Sequence, residues 1–80
     1  MKREQKIAEL ERLARLLGVE VRYERMGTIP GGLCRVGGRM FLFVNKALST
    51  QSKIELMAAE LGTLDWEKHF VKPEVRKLLE

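Results

Sequence analysis

Near the start of the chain, Ile7, Leu10, Leu13, Ala14 and Leu17 recur at helical spacing, with Glu, Lys and Arg between them. A stripe of period 3.6 buries one face and leaves the other wet, so the spacing predicts an amphipathic helix from about Lys2 to Leu17. Gly18 is the residue type that most readily takes the left-handed conformation after a helix end, and it marks the stop. The period then changes. Val19, Val21 and Tyr23 alternate with Glu20, Arg22 and Glu24, the pattern of a strand with one buried and one solvated face. Met26 to Gly32, with Pro30 and three glycines, is too broken for regular structure and reads as a loop.

Two apolar runs follow, Leu33 to Val36 and Met40 to Val44, flanking Gly37-Gly38 with Arg39 as the first residue of the returning strand. Paired glycines supply the positive φ angles of a tight hairpin turn. The second arm is apolar on both faces, Met40, Leu42 and Val44 on one and Phe41 and Phe43 on the other, which predicts a central strand covered twice. Ser49 or Thr50 can cap the next helix, whose stripe is Ile54, Met57, Ala58, Leu61 and Leu64. Ser52 and Glu55 are also spaced as a capping box. Gly62 costs about 1 kcal/mol of helix propensity relative to alanine, and close packing is the expected compensation. Pro73 suits the first turn of a last helix carrying Val75, Leu78 and Leu79. The expectation is an α+β domain of order α-β-β-β-α-α, residues 1–80, with a three-stranded antiparallel sheet packed by helices.

Eighty residues, 45% hydrophobic and 32% charged, suit one small globular domain. No apolar run approaches the roughly 20 residues a membrane span needs, and the N-terminus is charged, so a cytoplasmic protein without a membrane segment is expected. The single cysteine, Cys34, excludes an intramolecular disulfide and multi-cysteine zinc motifs. The net charge of +4 is uneven: residues 1–40 hold nine Lys/Arg against five Asp/Glu, and residues 41–80 hold six against six. Arg22 and Arg35 are the anion candidates. A nucleic-acid module would cluster its cations among aromatics, a pattern this chain lacks, so nucleic acid is disfavoured as a partner.

Val44-Asn45, Leu48-Ser49 and the run Ala59-Glu60-Leu61-Gly62-Thr63 carry a resemblance. From about Val19 to Leu64 the chain resembles the core of the ImmA/IrrE-type zinc metallopeptidases. In that family a helix and a small antiparallel sheet lead to a strand ending in an Asn-containing turn, then a Leu-Ser cap and a helix bearing His-Glu-Leu-Gly-His. The resemblance implies a zincin-like scaffold with Glu60 at the general-base position. It also places the two metal histidines at Ala59, which has no ligand atom, and Thr63, which has only a neutral hydroxyl. Zinc catalysis needs two imidazoles one turn apart, a third ligand and an open position for water, so neither metal nor cofactor is expected. Glu60 then reads as a helix carboxylate paired with a nearby cation.

Other candidate chemistry is sparse. Cys34 reads as a small buried hydrophobe of the hairpin, because the adjacent Arg35 points to the opposite face and cannot activate the thiol. His69 is the sole imidazole. The Gly27–Gly32 stretch lacks the Lys-Ser/Thr end of a phosphate loop and precedes a strand rather than a helix. Trp66, Phe70 and Val71 either lock the last helix to the core or sit at a partner interface. The leading expectation is a non-catalytic interaction or assembly module on a degenerate zincin-like scaffold. It would self-associate as a homodimer, or bind another protein, through its C-terminal helix or an exposed edge strand. The interface candidates are Trp66, Phe70, Val75, Leu78 and Leu79. The alternatives are a metal- or thiol-dependent hydrolase using Cys34, His69 and Glu60, and weak nucleic-acid binding through Arg22 and Arg35.

Overall fold

The computed structural model, which covers all 80 residues, orders the chain as helix α1 (Arg3–Leu16), strands β1 (Val19–Glu24), β2 (Gly31–Val36) and β3 (Arg39–Asn45), helix α2 (Thr50–Leu61), a 3₁₀ turn (Trp66–Lys68) and helix α3 (Pro73–Leu79). The order of elements matches the α+β expectation. The sheet does not match fully: β3 lies between the other two, antiparallel to β2 and parallel to β1, so the sheet is mixed. The apolar character of β3 on both faces favours the central slot with a ladder on each side. The loop after β1 therefore carries the chain past that slot, and the hairpin inserts β3 into it.

The hairpin forms as its glycines dictate. Gly37 and Gly38 have φ of 55° and 84°, the doubly left-handed turn that matches the twist of two antiparallel strands. Asn45, 3% exposed, fastens the other end of β3. Its Nδ2 donates to the carbonyls of Gly27 and Ile29 at 3.0 and 2.9 Å, and its Oδ1 accepts from the Ala47 N–H at 3.0 Å. One amide thus holds the β1–β2 loop against the entry to α2, with no buried side-chain nitrogen or oxygen left unpaired.

Helix α2 is capped by Ser49, whose Oγ accepts from the Ser52 N–H at 3.1 Å, so Ser52 lies inside the first turn rather than starting a capping box of its own. The helix stops at Leu61, and Gly62 follows in right-handed conformation. A Cβ there would lie 2.8 Å from the Leu79 carbonyl oxygen, so the glycine is what lets the end of α3 approach. Leu10, Leu13, Leu42, Val44, Ile54, Met57, Leu61 and Val75 are fully buried where helices and sheet meet. Each such side chain contributes about 1.5–3 kcal/mol relative to exposure.

All three helices lie on one side of the sheet. Leu42 and Val44 join the helices in a common core, whereas Phe41, one position out of phase, is absent from it. The thinnest dimension, 17 Å, has room for two layers and no third. The expected double cover of β3 is therefore missing. Phe41 and Phe43 instead stack on each other at 5.7 Å, and the Arg39 guanidinium lies 5.1 Å from the centre of the Phe41 ring. Long charged side chains roof the helix-free face with their apolar stems.

Candidate functional site

The proposed hydrolytic residues are not assembled. Cys34 pairs across the ladder with Phe41 on the helix-free face and is exposed, not buried as expected, since no layer covers that face. His69 follows the 3₁₀ turn in the helical layer, so the sheet lies between the two. No three His, Cys, Asp or Glu side chains gather closely enough to hold a metal ion. Ala59 and Thr63, at the positions of the family's metal histidines, are exposed on and after α2, and the Thr63 hydroxyl donates to the Glu60 carbonyl at 2.7 Å.

Three of the five interface candidates belong to the interior. Trp66, Val75 and Leu79 are buried in the chain's own core together with Val71, so this segment locks α3 in place. Arg76 adds its guanidinium 5.7 Å from the Trp66 ring centre. Burial follows from Gly62, which lets α3 pack against the end of α2. Leu78 is half-buried, and Phe70 is 74% exposed. Of the two anion candidates, Arg22 is committed to Glu20 and Glu24, at 3.6 and 3.2 Å. Arg35 is exposed and has no carboxylate within ion-pairing distance.

What the arrangement offers instead is a contrast between the sheet's two edges. On β2 the hydrogen-bonding phase is fixed by the closing hairpin and by the Asn45 N–H, which donates to the Pro30 carbonyl at 2.9 Å. Gly32 and Cys34 therefore bond inward to β3, and the main-chain groups of Leu33 and Arg35 point outward. The outward Leu33 N–H donates to Glu60 Oε1 at 2.8 Å. A Cβ on Gly32 would lie 3.1 Å from that same oxygen, so the bare glycine keeps room for the carboxylate. Glu60 reaches across from α2 as a clamp on the strand edge, not as a partner for a cation.

On β1 the Glu24 carbonyl accepts from the Lys46 N–H at 3.0 Å, so Glu20, Arg22 and Glu24 bond inward and Val19, Val21 and Tyr23 present their main-chain groups outward. Neither a side chain nor a loop satisfies them. Beside this open edge runs a groove of about 290 Å³ between α1 and the strand, with Val19, Val21 and Tyr23 as its apolar wall and Glu11 and Arg15 on its rim. The Tyr23 hydroxyl donates to Glu11 Oε2 at 2.5 Å, and the Lys53 ammonium sits 5.9 Å from its ring centre. Burial, then the hydrogen bond and the charge of Glu11, push the Tyr23 hydroxyl well above its ordinary value. The Glu11–Tyr23 and Glu60–Leu33 contacts join residues 12 and 27 positions apart, where no local spacing could disclose them. The alternation of β1 was the one sequence signal for the open edge.

Comparison with models of protein families, with curated proteins and with solved structures finds no match.

Proposed function

We propose that this chain is a non-catalytic assembly module that pairs with a second copy of itself through the open edge of β1. The observation that carries the reading is the row of outward main-chain groups at Val19, Val21 and Tyr23, which nothing in the chain satisfies. Such an edge is a template for strand addition unless it is blocked.

The strand's own sequence supports a copy as the occupant. In an antiparallel pair centred on Val21, Val21 faces Val21, and Val19 of one copy faces Tyr23 of the other. Glu20 then faces Arg22 on both halves of the symmetric interface. The cross-strand neighbours are apolar with apolar on the helical face and opposite in charge on the other, the pairings that stabilise a sheet. The result is one continuous six-stranded sheet with every helix on the same side. On the metallopeptidase resemblance, α2 descends from the metal helix, Ala59 and Thr63 replace its ligands, and Glu60 serves the sheet edge.

Val21→Pro is the direct test. The Val21 N–H points outward, so proline there removes no ladder bond within the chain, as edge strands tolerate. Sedimentation equilibrium and native mass spectrometry across a concentration series should give a dimer for the natural sequence and a monomer for V21P, with matching circular dichroism. A natural chain that stays monomeric at the highest concentration would sink the reading.

A further inference from the structure

The largest groove of the molecule, about 560 Å³, lies where the sheet runs out past the end of α1. We infer that it is a binding site for a phosphorylated small molecule, with the guanidinium groups of Arg15 and Arg35 as the phosphoryl clamp.

The fold leaves this end open. Val19, Met40 and Arg35 stand side by side across the three strands on the helical face. Helix α1 stops at Leu16; Val19 at one end of that row is buried, whereas Met40 stays half-exposed and the Arg35 side chain is free. Arg15, in the last turn of α1, lines the same groove from above. Leu17, Val19 and Met40 supply an apolar floor, and Gly18 and Gly38 narrow neither wall with a side chain. A groove of this size has room for more than a bare phosphate.

Charge selects the ligand. Neither Arg15 nor Arg35 lies within 4.0 Å of any carboxylate, although the chain carries 11 Asp and Glu residues. The groove's one carboxylate, Glu20, is held by Arg39 and Arg22 from the helix-free side. Two unspent planar forks exclude a cationic ligand and match tetrahedral oxyanions, to which guanidinium binds through paired N–H donors. The nearby end of α1 offers carbonyls, not amides, so the guanidiniums alone carry the attraction. A polynucleotide would want these charges continued as a track, whereas Arg22, Arg39 and Arg12 are neutralised by their own glutamates. The clamp rests on α1 and β2, and Arg15 and Val19 also border the groove beside the β1 edge, so the titration that tests it is repeated on V21P to separate phosphate binding from pairing at β1.

The test is an amide-resolved NMR titration of the full chain with inorganic phosphate and with pyrophosphate at constant ionic strength, for the natural sequence and for R15Q, R35Q and R25Q. Arg25 is exposed, unpaired and outside the groove, so R25Q controls for net charge. Saturable shifts are expected at Leu17–Val19 and Gly37–Met40. R15Q and R35Q should each weaken pyrophosphate binding about tenfold, the scale of one charged hydrogen-bond pair, and R25Q should leave it unchanged. Absence of saturation, or equal weakening by all three variants, would overturn the site. So would preferential binding of a single-stranded oligonucleotide that R25Q weakens as much as R35Q.

Discussion

The two edges of the sheet carry the same main-chain chemistry and differ in what answers it. On β2 the outward Leu33 N–H is held by Glu60, with Gly32 leaving space for the carboxylate. On β1 the outward groups of Val19, Val21 and Tyr23 face an open groove. Strand sequence alone does not make an edge sticky or inert. On β2 a side chain of another element answers one rung, the Leu33 N–H, and leaves the Arg35 main-chain groups next along the edge without a partner.

Val21→Pro should disable the open edge most severely. A symmetric pair centred on Val21 contains its N–H twice, so proline deletes two hydrogen bonds and inserts two rings, and dimer affinity should fall by roughly a hundredfold or more. Next comes charge reversal. Glu20→Arg faces Arg22 of the other copy with a like charge and should weaken the dimer about tenfold; the double variant E20R/R22E should recover most of that loss in a sedimentation-based mutant cycle. A dimer indifferent to both changes would place the contact elsewhere.

The clamped rung of β2 can be freed in turn. Glu60→Ala leaves the Leu33 N–H without its partner and should lower unfolding free energy by about 1–2 kcal/mol in urea denaturation. It should also let the chain assemble beyond two copies at high concentration. Glu60→Gln keeps an acceptor oxygen and should restore both properties, which separates the clamp from the charge. If E60A neither loses stability nor assembles further, Glu60 does not guard the edge.

The smallest effect is a titration. Tyr23 is the only tyrosine, and its hydroxyl is pushed above the ordinary 10.0. The folded chain therefore favours the neutral form: its contribution to stability is complete below pH 10 and is lost as pH climbs from there toward the raised folded value. Ultraviolet difference absorbance should show the native tyrosine ionising at higher pH than in the urea-unfolded chain. Glu11→Gln should narrow the gap by removing the neighbouring negative charge.

Much of the fold was legible because it is local. The helices follow from spacing, the hairpin from Gly37-Gly38, and the central place of β3 from its apolar faces. Its parallel partnership with β1 was not legible, since the alternation of Val19 to Glu24 fits either direction. The expected cover over Phe41 and Phe43, and with it the burial of Cys34, failed because apolar side chains can also be roofed by the stems of neighbouring charges such as Arg39. Trp66, Val75 and Leu79 look like surface anchors until the approach at Gly62 brings α3 onto the core. Glu60 drew notice through its motif, and the motif does not contain Leu33, the group that explains it.

The insertion of β3 between its neighbours also sets a clock. The turn at Gly37-Gly38 closes β2 onto β3 over two residues, whereas β1 must wait for a partner about twenty positions downstream. Loop closure over the longer span is slower, so pulsed hydrogen exchange during refolding is expected to protect β2–β3 amides before those of β1. Simultaneous protection would contradict this sequence of events. β1, made before β2 and β3, is then the last of the three to be enlisted, and until that moment both of its edges are available to whatever the growing chain meets.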